Sequence, residues 1–172
     1  MRGKTLIAAA LAAIVSFAFA PRAAEAHGDL VSVRDGYMPG TIVIRTNQRA
    51  LYYYVGPGQA LRYPVGVGRL GMQWSGTAFI DGKYVRPAWS APESIRKDYS
   101  RLPAVIPGGS PQNPMGVAAM TLSGGGQYAI HGTNNEGSIG HFVSHGCIRM
   151  HNVDIEDLYS RVMVGTRVVV TQ

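Results

Sequence analysis

Residues 144–150 read SHGCIRM, and they hold the only cysteine of a 172-residue chain. A single thiol cannot form a disulfide within the chain, so its chemistry has to be sought in its neighbours. Gly146 stands directly before it and lets backbone approach closely. Sixteen residues upstream, YAIHG (128–132) reads as a strand that ends at His131 and runs into a turn. A Gly-, Asn- and Ser-rich loop joins the two stretches. A thiol with an imidazole in hydrogen-bond reach becomes thiolate more readily. A near-neutral imidazole can take the thiol proton and later give one to a leaving amine. Backbone amides at Gly146 and Cys147 are candidate oxyanion donors, because glycine leaves them uncovered. Two other readings compete. Cys147 can be an inert thiol that packs as a small hydrophobe. His131, His141, His145, Cys147 and His151 can be zinc ligands. Their H-x₃-H-x-C-x₃-H spacing matches no common structural zinc site, so no metal is expected.

Working outward, NVDIEDLYSRV (152–162) has a helical period in Ile155, Tyr159 and Val162. Asn152 can cap it, and Asp154 and Glu156 suit its positive end. GTRVVVTQ closes the chain as a strand. Upstream, GVAAMTL (116–122), the turn SGGG and QYAIHG (127–132) give two more strands. TIVIRT (41–46), RALYYYV (49–55), the turn GPGQ (56–59) and ALRYPV (60–65) read as a strand and a hairpin. GVGRLG (66–71) matches a dinucleotide glycine pattern, but MQWSGTAFI after it is β-like where such a fold needs a helix. It is read as a glycine-rich turn. Residues 81–115 are rich in proline and poor in period, as expected of a lid or covering loop. SIRKDYSR inside it suggests a short helix, and Tyr84, Trp89 and Tyr99 can line a groove or pack the loop. Residues 27–39 read as an irregular lead-in.

Hydrophobic residues make up 46% and charged residues 15%, with 22 glycines, a mixture that excludes disorder and suits a strand- and turn-rich globular domain. The formal charge is +6. Arg2, Lys4, Arg22 and Glu25 contribute a net +2 of it, which leaves +4 spread along the rest. No basic stripe interleaved with aromatics suggests nucleic acid. MRGK, the apolar run TLIAAALAAIVSFAFA and AEA at 24–26 read as a signal peptide cleaved after Ala26. The alternative, a membrane-anchoring helix, would need a run of about 20 residues.

IHGTNNEGSIGHFVSHGCIRMHNVDIEDLY (130–159) resembles the signature of the L,D-transpeptidase catalytic domain, or YkuD domain. That signature is His-Gly, a gap of a dozen or more residues, then Ser/Thr-(His or Ser)-Gly-Cys, an apolar residue and Arg. TIVIRTNQRALYYYVGPGQALRYPVGVG and NPMG also resemble the family's N-terminal half, so the likeness covers roughly 40–171. It implies a mostly β, sandwich-like fold with a capping subdomain and one or two short helices. It implies a catalytic domain at 40–171, after a signal peptide at 1–26 and a lead-in at 27–39. The implied reaction cleaves a peptidoglycan tetrapeptide stem between diaminopimelate and D-Ala, holds the stem as a thioester and joins it to a second stem in a 3→3 cross-link. Such an enzyme would act in the periplasm, in wall biogenesis and cell shape, and need no cofactor. Water as acceptor would make it a carboxypeptidase, and a protein amine would attach that protein to the wall. An inactive wall-binding scaffold is the remaining alternative. By the resemblance Cys147 is the nucleophile and His131 its base, oriented by the Gly132 carbonyl. Ser144, His145 and Gly146 precede the nucleophile, with His145 shaping the pocket. Arg149 holds a substrate carboxylate or braces the loop. His141 and His151 lie outside the pattern and are read as surface or packing residues.

Overall fold

The computed structural model describes residues 28–124 and 128–172. The hairpin expected from the aromatic run is β3 (Ala50–Gly56) and β4 (Gln59–Pro64), and β2 (Ile42–Arg45) pairs antiparallel with β3. The C-terminal strand β11 (Arg167–Thr171) does not sit at an edge. It inserts between β2, to which it is parallel, and the first half of the long strand β6 (Gly76–Val85). The second half of β6 pairs with β7 (Ala118–Leu122), with a register shift between Ile80 and Gly82. Such irregularities increase local twist, and here one strand serves both halves of the sheet. β8 (Ala129–His131) follows β7, and β10 (Ile148–Arg149) completes that end. β5 (Val67–Gly68) and β9 (Phe142–Ser144) form a separate parallel pair.

The main core lies between the two halves. Ile42, Ile44 and Leu51 from one side meet Ala118, Met120, Ile130 and Ile148 from the other, and α2 (Asn152–Arg161) adds Ile155 and Leu158. Burying each of those two helical side chains stabilises the fold by about 1.5–3 kcal/mol. Lys83 of β6 holds the far end of α2, donating from Nζ to the carbonyls of Tyr159 (2.7 Å) and Val162 (2.6 Å). These are carbonyls that the helix itself leaves unpaired.

The lead-in is more ordered than its sequence suggests. Asp29–Ser32 forms strand β1, which pairs antiparallel with β4. Val31, Val33 and Tyr37 then cover the second face of the sheet, over Val43, Tyr52, Tyr54 and Val169. The strand is short and mostly exposed, so its own alternation is weak, and the open edge of β4 supplies the order. Residues 81–115 also divide. Their first five residues belong to β6, and Tyr84 is exposed there. Next comes the lid, which carries the short helix α1 (Glu93–Asp98). Trp89 and Ile106 bridge within it, and the buried Asn113 amide donates to the carbonyls of Pro87, Ile106 and Pro107. Among the described residues no helix is long and apolar enough to cross a membrane. The signal-peptide reading at 1–26 lies outside the described residues.

Candidate active site

The parallel pairing of β8 with β10 sets Ile148 beside Ile130 and Arg149 beside His131. Side chains alternate along a strand. Ile130 and Ile148 point into the core, so His131, Arg149 and Cys147 belong to the opposite face. Cys147 and His131 are diagonal neighbours across one strand spacing, about 8 Å apart at Cα by ordinary strand dimensions. All three line one cleft of about 500 Å³ with Ser144 and His145. The lid supplies its apolar wall through Trp89, Ile95, Tyr99, Ile106 and Met115.

The turn before the cysteine is held from three sides. Ser144 Oγ donates to the Cys147 carbonyl (2.6 Å) and accepts the Gly146 amide (3.0 Å). The Gly146 amide is therefore already engaged, and the expectation that it serves as an oxyanion donor is not met in this geometry. Gly146 has φ +117°, a left-handed value, and a Cβ there would sit 2.3 Å from the Tyr128 ring. Both facts demand glycine. Tyr128 stacks on Trp74 (centroids 5.1 Å apart, 7° between planes), and Trp74 Nε1 donates to the Gly146 carbonyl at 2.9 Å.

His131 is 4% exposed. Its Nδ1 lies 2.6 Å from the Gly132 carbonyl. A carbonyl can only accept, so the proton of the neutral ring sits on Nδ1 and Nε2 carries the lone pair. Gly132 has no room for a side chain, since a Cβ would lie 2.3 Å from Asn152 Oδ1. The cap position of α2 is taken by His151, whose side chain makes no capping bond, and Glu136 Oε1 accepts from the Asn152 amide at 3.3 Å. Asn152 instead turns back from the first helical position. Its Oδ1 accepts from the amides of Val117 (3.2 Å) and Thr133 (3.1 Å), and its Nδ2 donates to the Thr133 carbonyl (2.8 Å) and Glu136 Oε1 (3.0 Å). It thus clamps the segment that carries His131 and Gly132. Asn152→Ala should cost about 2–3 kcal/mol of stability in urea unfolding and slow any chemistry at His131. A loss under about 0.5 kcal/mol would mean that water replaces these bonds fully.

Burial dominates the electrostatics. It lowers the His131 pKa to about 4, and the nearby Arg149 charge adds to this, while hydrogen bonds to the Gly132 and Pro114 backbone pull the other way. Burial also raises the Cys147 thiol above its ordinary 9.0, against the opposing effects of an Ala129 backbone hydrogen bond and the Arg149 charge. The expectation of a ready thiolate is therefore reversed. Both shifts favour the neutral forms, so burial opposes a preformed thiolate–imidazolium pair. Burial lowers the Arg149 pKa as well. Among the described residues, no carboxylate lies within ion-pair distance of its guanidinium.

His145 links the turn to the lid. Its Nε2 is 2.8 Å from Asp98 Oδ2, which also accepts from Arg69 Nη2 at 2.5 Å. Those two hydrogen bonds, Arg69 first, hold the Asp98 carboxyl below its usual range. Trp89 and Tyr99 line the cleft, as one of the two readings of the lid allowed, whereas Tyr84 does not. His151 pairs with Glu136, and His141 is exposed. Trp74, Tyr128, Asp98 and Asn152 are the supporting residues that sequence reasoning missed. Only Asn152 carried a signal, the habit of Asn to bond local backbone at a helix start.

The family model of the L,D-transpeptidase catalytic domain matches residues 39–170. The probable L,D-transpeptidase YbiS of Escherichia coli K12 is 42% identical over 136 residues, which covers 74% of this chain and 43% of that protein. The putative L,D-transpeptidase YkuD of Bacillus licheniformis is 37% identical over 134 residues, covering 78% of this chain and 67% of that protein. The chain thus spans less than half the length of the YbiS relative. L,D-transpeptidase 3 of Mycobacterium tuberculosis superposes with a TM-score of 0.61 at 16% identity, over 77% of this chain and 60% of that one. An Enterococcus faecium L,D-transpeptidase gives 0.61 at 17% identity, over 78% and 50%.

Proposed function

Since the chain belongs to the L,D-transpeptidase catalytic domain (YkuD) family, we propose that it transfers peptidoglycan stem peptides through a thioester on Cys147. What supports this reading most is the placing of Cys147, His131 and Arg149 in one lid-covered cleft. Cys147 Sγ attacks the carbonyl carbon between diaminopimelate and D-Ala, and its proton passes to His131 Nε2. As the C–N bond breaks, that proton goes to the departing D-Ala amine. The stem remains on sulfur as a thioester. The amine of a second stem then attacks the thioester carbon, and its proton returns through His131 to Sγ as the new amide forms. Burial favours the neutral thiol and the neutral imidazole, so proton transfer accompanies C–S bond formation. Arg149 holds a substrate carboxylate beside the reacting bond. Gly132 orients the imidazole, Ser144 and Gly146 fix the turn, and His145 shapes the pocket under the lid.

The cross-link is the product that we propose, and water or a protein amine would use the same acyl-enzyme. Wall material from cells with and without the protein distinguishes them. Fewer 3→3 cross-links in its absence support the proposal, and unchanged cross-links with altered tripeptide stems or wall-bound protein contradict it. We place this activity in the periplasm, with the signal peptide at 1–26 removed, the lead-in at 27–39 and the catalytic domain at 40–171. The exported protein should have a mass that begins at His27, and a mass retaining residues 1–26 would contradict the cleavage.

The His131 pKa near 4 makes a further expectation. Its neutral form is the active base, so the acid limb of kcat/KM for acylation should fall near pH 4 and not near the ordinary 6.5. The same lowered pKa means that stability is fully present above about pH 6.5 and is lost as pH falls through about 4, by about 3 kcal/mol in all. A limb near 6.5 in a pH-rate profile would show that the imidazole is solvated when it works.

A further inference from the structure

The first strand and the face of the central sheet enclose a groove of about 470 Å³, lined by Val31, Val33, Arg34, Arg45, Tyr52 and Arg62 among others. It lies at the opposite end of the strand order from β8 and β10. Three arginines line it, and among the described residues Asp35 is the only carboxylate in its wall. That carboxylate is already committed, pairing with Arg45 and accepting from the Tyr54 hydroxyl. Arg45 is held further by lying 4.8 Å over the Tyr52 ring. Tyr52 is the cross-strand neighbour of Arg62, so aromatic face and guanidinium are presented together. Asp29 is the register partner of Arg62 on β1, yet neither Arg62 nor Arg34 has a carboxylate within ion-pair distance among the described residues. Among the described residues, the groove therefore keeps two guanidiniums in excess of its carboxylate, with no ion-pair partner for either Arg34 or Arg62.

We propose that this groove is a second binding site, remote from the cleft, that takes a phosphate group. A tetrahedral dianion matches the excess charge and can accept forked N–H donors from several directions, whereas a planar carboxylate is filled by one or two. The groove is several times larger than phosphate itself, which leaves space for the molecule that carries it, a soluble phosphate ester or a phospholipid headgroup.

The test uses the purified protein and its Arg34→Gln/Arg62→Gln double variant, titrated with inorganic phosphate at fixed ionic strength. Among the described residues neither side chain makes a hydrogen bond or an ion pair, and thermal unfolding checks that the variant melts with the wild type. Saturable binding, weakened about tenfold or more in the variant and not reproduced by acetate, supports the site. Absence of saturable phosphate binding, equal binding by the variant, or equal binding of acetate overturns it. Vesicles of anionic phospholipid separate the sources. Binding that the variant loses identifies a headgroup, and phosphate binding without vesicle binding identifies a soluble ester. Acylation at Cys147 should be unchanged in the variant, so failure here leaves the proposed reaction untouched and failure of that reaction leaves this site testable.

Discussion

Alanine in place of Cys147 should leave a folded protein that forms neither thioester nor cross-link, a loss of at least about 10⁴-fold in rate. The side chain removed is small and lines the cleft, so stability should change by no more than about 1 kcal/mol. The anchoring of the turn runs through Ser144 Oγ, the Gly146 backbone and Trp74, none of which needs the sulfur. Thermal unfolding and a cross-linking assay on the same sample check both halves. Residual cross-linking above a hundredth of wild type would remove Cys147 from the reaction. The inactive-scaffold alternative makes a different forecast, that wild type and variant are alike in every wall assay.

His131→Gln should be the next largest effect, about 10²–10⁴-fold in acylation rate. Glutamine keeps an amide donor for the Gly132 carbonyl but supplies no base. The variant also changes the shape of the pH profile. Wild type relies on an imidazole that is neutral above about pH 4, so its rate should be flat through neutrality. Without the base, reaction waits for thiolate from a thiol whose pKa burial has raised above 9.0, and the rate should climb about tenfold per pH unit across that range. A flat profile in the variant would show that some other group takes the proton. The same burial governs thiol reagents. Slow alkylation of Cys147 at neutral pH is expected of the working enzyme and does not argue for a scaffold.

How much of this could be read in advance depends on distance along the chain. The hairpin over Ala50–Pro64 and the strand ending at His131 are local patterns of β-branched and aromatic residues bounded by turn residues. The turn at 144–147 is local too, and the strand period puts Cys147, Arg149 and His131 on one face once β8 and β10 pair. Nothing local, however, reveals that Trp74 supports a turn 72 residues away, or that Asp98 reaches His145 across 47. Asn152 illustrates the same limit. Its preference for backbone partners at a helix start was visible, but those partners are 35 and 19 residues upstream and it became a clamp, not a cap. The acidity of Cys147 was misjudged for a related reason. Neighbouring imidazole and guanidinium groups can be read from a motif, whereas desolvation depends on the lid that folds over it. The lead-in gained its strand from the free edge of β4, a partner that its own residues do not announce.

The acyl-enzyme itself provides the most direct measurement. Wild-type protein incubated with a tetrapeptide stem and analysed by intact mass should gain the mass of the stem less D-Ala. The adduct should map to Cys147, be released by hydroxylamine as a thioester requires, and be absent from Cys147→Ala. An adduct of the same mass on the alanine variant, or unmodified protein after the stem has lost D-Ala under rapid-quench conditions, would contradict thioester transfer at Cys147.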